Sequence, residues 1–399
     1  MRAPDNASAI TVLMTADAVG GVWNYALDLS RALTARGISV VMAVMGPAPR
    51  SEQLAEARSV EKLELHHQPF ELEWYRQVSS AELARSAEWI KTLAARYSVD
   101  LLHLNGYAQA AIDWQVPVVI VAHSCVYSWW QAVYRCTPPV EYLDYQKRTA
   151  AGLAAADAIV APSSWMLRCL ESIYTPASTS LATTHRRIEK RVIPNFSAHR
   201  PRTAAKRNLI QAAGRFWDAA KNLALLDTIA PELDWPVYVA GAANSPEGDQ
   251  RTATHVRMMG QLSRDKMADA LASAAIFAHP AVYEPFGLAP LEAAIHGCAL
   301  VLSDIPSLRE LWGDAALFAC PRDPAAWVEA LNRLSRCEKE RIEFAAKARR
   351  NASRFTAETT ASCYLSIYRS VIAARAEDGL RTIGFHEHSN QTVLPFHRF

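Results

Sequence analysis

The chain has 399 residues, half of them hydrophobic and 21% charged, which is enough apolar material for two domains with a core each. Its formal net charge of +2 argues against a surface built to bind nucleic acid. The seven cysteines are odd in number and contain no C-x-x-C pair, which is typical of reduced thiols in the cytoplasm and argues against a disulfide framework or a zinc site.

The first half of the chain alternates between apolar runs and segments with helical periodicity. Strands are predicted over residues 9–14, 38–45, 101–104, 117–122 and 158–161, and helices over residues 23–36, 81–97, 140–155 and 163–174. Residues 47–81 lack a clear period and are predicted to be irregular, and residues 175–184 are predicted to form a loop. A basic run over residues 186–191 predicts a solvated face, or a surface that meets an anionic acceptor or a lipid headgroup.

The polar, proline-containing segment 196–208 is predicted to link two domains. Beyond it, strands are predicted over residues 209–213, 236–240, 275–279 and 299–302, and helices over residues 221–230, 263–272, 288–296, 325–336, 338–350 and 355–373. Strands that alternate with helices indicate parallel sheets, so we expect an α/β protein with one domain over residues 1–195 and another over residues 209–350. Residues 376–399 show little periodicity and are predicted to be a tail.

No segment of the sequence is typical of a membrane span or of a secretion signal. The first ten residues lack an apolar stretch, and nowhere does an apolar run reach the roughly eighteen residues that a span needs. We therefore expect a cytoplasmic protein, either free or in peripheral contact with the inner face of a membrane.

The segment EPFGLAPLEAAIHG, residues 284–297, has an unusual distribution of charge. Between Pro285 and Ser303 the only carboxylate, Lys or Arg is Glu292, and a carboxylate in an apolar helix costs several kcal/mol unless something polar meets it. Glu284 lies where a loop becomes a helix, next to free backbone N–H groups. One interpretation is that Glu284 favours the helix dipole and Glu292 reaches solvent or an arginine. The other is a site for a polyhydroxylated, anionic ligand.

Two cations follow the first strand of the second predicted domain. Gly214 and Arg215 end that strand, and Lys221 comes six residues after Arg215 at a predicted helix start. An arginine grips a phosphate through two parallel N–H bonds, while a lysine acts as a point charge. The spacing predicts a phosphate site, although two cations so close in sequence also occur on ordinary surfaces.

The first predicted domain offers fewer chemical signals. Gly20 and Gly21 follow its first strand but are not part of a G-x-G-x-x-G fingerprint, so they indicate either an ordinary tight turn or a ligand loop. His123 follows a strand, at the end where open α/β sheets place functional groups. The aromatic residues within 127–135 are candidates for stacking on a carbohydrate, or for helix packing.

The glutamates at positions 284 and 292, with the Pro-Phe-Gly-Leu insert between them, resemble the E-x7-E signature of retaining glycosyltransferases of family 4. Arg215 and Lys221 match the G-R-x5-K pattern of the same family. The resemblance implies the GT-B fold, in which two Rossmann-like domains face a central cleft. It also implies that the helix within residues 351–375 crosses back onto the first domain.

The resemblance further implies a role for each matched residue. Glu292 would bind the ribose and Glu284 a sugar hydroxyl, while Arg215 and Lys221 would neutralise the diphosphate. His123 would position the acceptor and the sugar. The remaining residues implied to contact the donor are Gly20, Gly21, Gly214, Leu262, Phe286, Gly287 and Leu288. Neither a metal nor another cofactor is implied.

The implied activity is transfer of a hexose from a nucleotide-diphosphate sugar to a hydroxyl of a saccharide or lipid-linked acceptor, as in surface or exopolysaccharide biosynthesis. Two alternatives remain open from sequence. One is a phosphorylase or nucleotide-sugar epimerase of the same fold, and the other is a catalytically silent nucleotide-binding protein. The donor base, the sugar and the acceptor are not predicted, because base recognition by backbone groups leaves no side-chain code and acceptor loops are variable.

Overall fold

The computed structural model describes residues 10–175, 188–248 and 250–388, with side chains through residue 377. Its first unit is a sheet of seven strands in the order β3-β2-β1-β4-β5-β6-β7, and every pairing is parallel. The strands are β1 (Thr11–Asp17), β2 (Ser39–Met45), β3 (Leu63–Gln68), β4 (Leu101–Leu104), β5 (Val118–Val121), β6 (Ala158–Ala161) and β7 (Glu189–Val192). The helices between them are α1 (Gly21–Thr34), α2 (Ser51–Arg58), α3 (Ser80–Arg96), α4 (Val126–Tyr134), α5 (Leu143–Ala155) and α6 (Ser164–Tyr174).

The second unit is a parallel sheet of six strands in the order β10-β9-β8-β11-β12-β13. Its strands are β8 (Arg207–Ala213), β9 (Val237–Ala240), β10 (Arg257–Gly260), β11 (Ala274–His279), β12 (Ala299–Ser303) and β13 (Leu317–Ala319). Its helices are α7 (Leu223–Ile229), α8 (Arg264–Ser273), α9 (Leu288–Ile295), α10 (Pro306–Trp312), α11 (Pro324–Arg336) and α12 (Glu338–Ala352). The chain ends its described part with α13 (Ala357–His388).

The predicted α/β architecture with parallel sheets is confirmed, and burial explains it. The central strands β4, β5, β6, β11 and β12 are buried at every residue, as expected for strands that are covered by helices on both faces. One apolar cluster joins the two units, because Trp23 on α1, Phe277 on β11 and Tyr364 on α13 belong to the same buried set.

Three predictions from sequence were wrong. Residues 47–81 are not all irregular, since they contain α2 and β3. Helix α2 buries only Gln53 and Ala57, and β3 is a polar edge strand, so neither shows an apolar period. The helix expected from Lys221 begins at Leu223 instead, after a 3-10 turn. The helix expected to end at residue 373 continues to His388, into the predicted tail.

Asn222 explains the altered helix start. Its backbone is left-handed, with φ of 58°, and its side-chain amide donates to the carbonyl oxygens of Pro280 (3.0 Å) and Pro321 (2.9 Å). These bonds hold a bend between Lys221 and α7. The loop predicted for residues 175–184 lies, beyond its first residue, outside the described part of the chain.

Side chains of each unit form hydrogen bonds with the other unit. The carboxylate of Glu310 on α10 accepts from the N–H groups of Ser164 (2.6 Å) and Trp165 (2.9 Å) at the start of α6. Helix α13 packs on α1, where Tyr25 donates to the hydroxyl of Tyr364 at 2.6 Å. Among the described residues, no helix has both the length and the apolar character needed to cross a bilayer.

Candidate active site

The carboxyl ends of the two sheets face each other across a cleft. The glycine loop follows β1, His123 follows β5, Arg215 follows β8 and Glu284 lies in the loop after β11. Such strand ends are where α/β sheets bind ligands.

Direct hydrogen bonds close parts of this cleft. The N–H of Cys125 donates to the hydroxyl of Tyr283 (3.1 Å), and the hydroxyl of Ser128 lies 2.9 Å from the same Tyr283 oxygen. The indole N–H of Trp129 on α4 donates to Asp218 Oδ1 at 2.9 Å. The functional residues of the two units are therefore close enough to act on one ligand.

Glu284 is held by two basic side chains. Lys221 Nζ lies 2.6 Å from Glu284 Oε2, and His279 Nε2 lies 3.1 Å from the same oxygen. Burial alone would raise the pKa of Glu284, but the charge of Lys221 and the bond from His279 outweigh it, and the pKa falls well below its usual range. Burial also lowers the pKa of His279, so this imidazole is neutral at pH 7 and donates from Nε2. Glu284 is thus a carboxylate fixed by Lys221 and His279.

Gly241 lets the loop after β9 approach the end of β8, where Gly214 is in ordinary contact with the side chain of Lys221. A Cβ on Gly241, whose φ is +144°, would lie 1.8 Å from the carbonyl oxygen of Gly214, so a side chain there would collide with the backbone. A Cβ on Gly214 would lie 3.5 Å from Lys221 Cγ. The lysine side chain therefore runs past Gly214 to Glu284.

Arg215 faces the glycine loop of the first unit. A Cβ on Gly20 would lie 2.8 Å from a terminal nitrogen of Arg215, and one on Gly21 would lie 3.7 Å from Leu288 Cδ1. Arg215 lies 3.6 Å from Asp218 Oδ2. The predicted residues Gly20, Gly21, Arg215 and Leu288 are therefore brought together, and a larger residue at position 20 would displace the guanidinium.

Glu292 lies apart from Glu284, on the inner side of α9. Only 8% of it is exposed, and its Oε1 is 3.4 Å from Ser197 Oγ and 3.7 Å from His199 Nε2. Burial raises the pKa of Glu292 to about 7; the charge of Arg264 opposes the rise and that of Asp28 adds to it. A carboxylate in an apolar helix needs polar partners, and for Glu292 these come from the segment before β8 and from Arg264. Arg264 also forms an ion pair with Asp28 of the first unit.

The start of α9 presents backbone amides. Gly287 is its N-cap residue, with φ of +91°, and no side chain caps the helix there. A residue with a side chain would be strained at this position. Gly287 and Phe286 are buried and Leu288 is half-buried. These positions fit the predicted close approach of a ligand to the backbone.

His123 is half-buried on the first unit, and its Nε2 lies 2.8 Å from Asn105 Oδ1. Burial lowers the pKa of His123 to about 3, so the imidazole is neutral at pH 7. The neighbouring ring is that of Tyr25, at 4.4 Å between centroids.

Leu262 lies away from these groups, just beyond β10. Next to it is a cavity of about 390 Å³ whose lining includes Gly241, Asn244, Met258 and Gln261. The described residues contain no group of three or more His, Cys, Asp or Glu side chains arranged to hold a metal ion.

Sequence reasoning missed His279, Asp218 and Asn105 as parts of the site. His279 ends β11, a strand-end position like that of His123, and this signal was available. Asp218 falls inside the G-R-x5-K spacing, between the two cations. Asn105 directly follows the predicted strand 101–104 and was given no role.

Comparisons with known proteins agree with this geometry. Residues 19–212 match the sequence model described as Glycosyltransferase Family 4, and residues 207–336 match that of Glycosyl transferases group 1. A D-inositol 3-phosphate glycosyltransferase of Nocardioides sp. is 27% identical over 405 residues, which cover 91% of this chain and 87% of that protein.

Solved structures show the same fold. Sucrose-phosphate synthase of Thermosynechococcus elongatus superimposes with a TM-score of 0.72 at 18% identity, covering 92% of this chain and all of that one. HepE of Anabaena, solved with UDP and glucose, gives a TM-score of 0.68 at 16% identity, covering 90% of this chain and 99% of that one. Together with the family matches, these likenesses show that the chain is a glycosyltransferase with the GT-B fold and belongs to glycosyltransferase family 4.

Proposed function

We propose that this enzyme is a retaining glycosyltransferase, which moves a hexose from a nucleotide-diphosphate sugar to a hydroxyl of a saccharide or lipid-linked acceptor. The observation that carries the proposal is the largely buried cluster of Lys221, Glu284 and His279. It lies beside Gly214 and Arg215, and Arg215 faces the glycine loop of the other unit. The solved complex of HepE with UDP and glucose, a protein of the same fold, supports a nucleotide sugar as the donor.

The cluster can bind both halves of such a donor. An ammonium group has three N–H donors, and Glu284 accepts one from Lys221, which leaves two for phosphate oxygens. Glu284 stays ionised at every ordinary pH, because its pKa is so low, and it can accept a hydrogen bond from a sugar hydroxyl. The bond between phosphate and sugar would then lie next to this ion pair, with the phosphate at Lys221 and the sugar at Glu284.

The leaving group is the nucleoside diphosphate. Negative charge grows on its terminal phosphate as the glycosidic bond breaks, so fixed cations and amides there stabilise the transition state more than the ground state. We assign this role to Arg215, to Lys221 and to the amides of residues 286–288. With these groups in place the reaction needs no metal ion.

Retention follows from attack on the face that the leaving group departs. The acceptor oxygen bonds to the anomeric carbon as the bond from that carbon to the phosphate oxygen breaks. The hydroxyl proton passes to the departing phosphate oxygen, so the products are a glycoside and a nucleoside diphosphate. His123, across the cleft, would position the sugar and the acceptor hydroxyl.

Glu292 would bind the ribose hydroxyls, and the region around Leu262 would meet the base. The cavity next to Leu262 lies between the loops after β9 and β10 and has room for a planar ring. We further propose that the enzyme acts in surface or exopolysaccharide biosynthesis, in the cytoplasm or on the inner face of a membrane. The inositol-phosphate acceptor named for the Nocardioides relative is itself a polyhydroxylated molecule.

The test begins with the ligand. UDP, GDP, ADP and dTDP are compared by thermal shift, since a ligand that binds only the folded state raises its stability. The matching labelled sugar nucleotide is then incubated with and without acceptors, and the anomeric configuration of the product is determined. Transfer that occurs only with an acceptor and keeps the donor configuration supports the proposal. Epimerised donor, phosphorolysis, or an inverted product would refute it.

A further inference from the structure

Asn105 connects His123 to the body of the first sheet. It follows β4, its backbone N–H donates to the hydroxyl of Thr15 (2.9 Å), and its side-chain Nδ2 donates to the carbonyl oxygen of Thr15 (2.6 Å). Its Oδ1 lies 2.8 Å from His123 Nε2. Asn105 thus extends the pairing of β4 with β1 and contacts the residue that follows β5.

The bond to Thr15 determines which way the amide points. A backbone carbonyl only accepts hydrogen bonds, so the NH₂ group of Asn105 must face Thr15 and its oxygen must face the imidazole. That oxygen also only accepts, so His123 Nε2 must carry the hydrogen. Because the imidazole is neutral, its other nitrogen, Nδ1, carries none.

A second histidine supports this orientation of the Asn105 amide. His103 Nε2 lies 3.3 Å from the same oxygen of Asn105, and His103 Nδ1 lies 2.6 Å from the hydroxyl of Tyr368 on α13. Tyr25 donates its hydrogen to Tyr364, so its oxygen, 3.3 Å from His103 Nε2, can only accept. His103 Nε2 therefore carries the hydrogen and shares it between Tyr25 and Asn105. Burial lowers the pKa of His103 to about 3, so this ring is neutral too. Asn105 Oδ1 therefore accepts from two imidazoles.

We propose that Asn105 is a positioning residue, which holds His123 in the tautomer with a bare Nδ1 and so gives the cleft a neutral hydrogen-bond acceptor at this point. This inference rests on the proposed function. No hydrogen bond among the described residues uses Nδ1 of His123, and the residue is only partly buried. A bare, neutral nitrogen accepts from a hydroxyl and rejects a phosphate or carboxylate oxygen. The group that His123 takes is therefore a sugar or acceptor hydroxyl.

The test labels the histidine ring nitrogens with ¹⁵N and reads the tautomer of His123, whose signals are identified by their loss in His123→Gln. Wild-type enzyme is expected to show hydrogen on Nε2 and none on Nδ1 from pH 5 to pH 8. In Asn105→Leu the two tautomers should exchange, and kcat should fall about tenfold, as for one lost hydrogen bond.

The matched control is Asn332→Leu. Asn332 is buried, and its amide bonds Glu232 O (3.0 Å) and the N–H of Asp234 (2.9 Å) far from the cleft, so stability should fall while kcat holds.

Asn105→Asp gives a second, pH-dependent readout. A carboxylate keeps the bond to His123 but raises the pKa of this imidazole, because a nearby opposite charge favours the protonated form. The other titratable groups facing His123 are His103 on β4 and Tyr25 on α1, both uncharged at neutral pH. Turnover of the variant should therefore decline as pH falls toward 5, while that of the wild type stays level.

Two results would overturn the inference. One is a wild-type spectrum with the hydrogen on Nδ1, and the other is an Asn105→Leu variant whose tautomer or kcat equals that of the wild type. The spectrum does not depend on turnover, so it decides the tautomer even if the proposed transfer reaction fails.

Discussion

The two sides of the cleft use different chemistry. On the second unit Lys221, Glu284 and Arg215 are charged, and the pKa of Glu284 is held well below its usual range. On the first unit His123 and His103 are neutral, because burial lowers the pKa of both to about 3. Charge suits the tight binding of a diphosphate, and neutral, directional hydrogen bonds suit the placement of hydroxyls. The comparison suggests that affinity comes from the second unit and orientation from the first.

The largest expected effect comes from breaking the ion pair. Lys221→Met leaves the carboxylate of Glu284, whose side chain is only 13% exposed, without its cation, so the free energy of unfolding should fall by about 3–5 kcal/mol. The double variant Lys221→Met, Glu284→Leu removes both charges and should regain most of this stability while remaining inactive. Chemical denaturation and turnover measure the two effects. A double variant that regained activity would show that the charges are not needed for transfer.

A smaller effect is expected from Glu292, as a dependence of stability on pH. Its pKa rises from the ordinary 4.5 to about 7 in the folded protein, so the folded state binds the proton more tightly than the unfolded state. The stability this provides is complete below about pH 4.5 and is lost as pH rises through 7. At about 1.4 kcal/mol per pKa unit the loss is of order 3 kcal/mol. Unfolding of wild type and Glu292→Gln from pH 5 to pH 8.5, without ligand, measures it, and parallel curves would contradict the assignment.

The hydrogen bond between Trp129 and Asp218 tests whether contacts across the cleft contribute to catalysis. Trp129→Phe removes one hydrogen bond that crosses the cleft. The activation free energy should rise by about 1 kcal/mol, which is roughly a fivefold loss in kcat/KM. Trp114→Phe is the matched control, because its indole N–H donates to Gln109 O (2.9 Å) within the first unit. Equal kinetic losses in the two variants would mean that the bond across the cleft has no special role.

Removal of metal ions should have the smallest effect. If Arg215, Lys221 and the amides of residues 286–288 carry the diphosphate charge, transfer should continue at its full rate after exhaustive chelation. Activity measured in EDTA, with and without added Mg²⁺ or Mn²⁺, checks this. Strict dependence on either ion would show that the phosphate site is built differently.

The sequence predicted the members of the charged cluster better than their contacts. Glu284, Arg215 and Lys221 were found because each belongs to a short pattern in the chain. The pairing of Lys221 with Glu284 was not, because these residues are 63 positions apart and meet only because β8 and β11 are neighbours in the sheet. The two cations were expected to neutralise a diphosphate, and the sequence did not predict that each lies beside a carboxylate.

The neutral groups of the first unit, His123, His103 and Asn105, were harder to predict. His123 was found from its strand-end position, but Asn105, which also follows a predicted strand, was given no role. Its role depends on β4 lying between β1 and β5, which brings Thr15 and His123 to opposite sides of one amide. Polar edge elements such as α2 and β3 were missed for a related reason. They bury so little that tertiary contacts, not an apolar period, determine their structure.

The most direct measurement compares nucleotide affinity with turnover in Glu284→Gln. The substitution removes a carboxylate from the sugar side of the site and frees Lys221, so the nucleoside diphosphate should bind at least as tightly as to wild type. Turnover should fall about a hundredfold or more, because a hydrogen bond to a charged group, worth about 1.5–3 kcal/mol, is lost together with the alignment of the sugar. Isothermal titration and initial rates give both numbers. Unchanged turnover, or turnover lost only in proportion to nucleotide affinity, would contradict the placement of the sugar at Glu284.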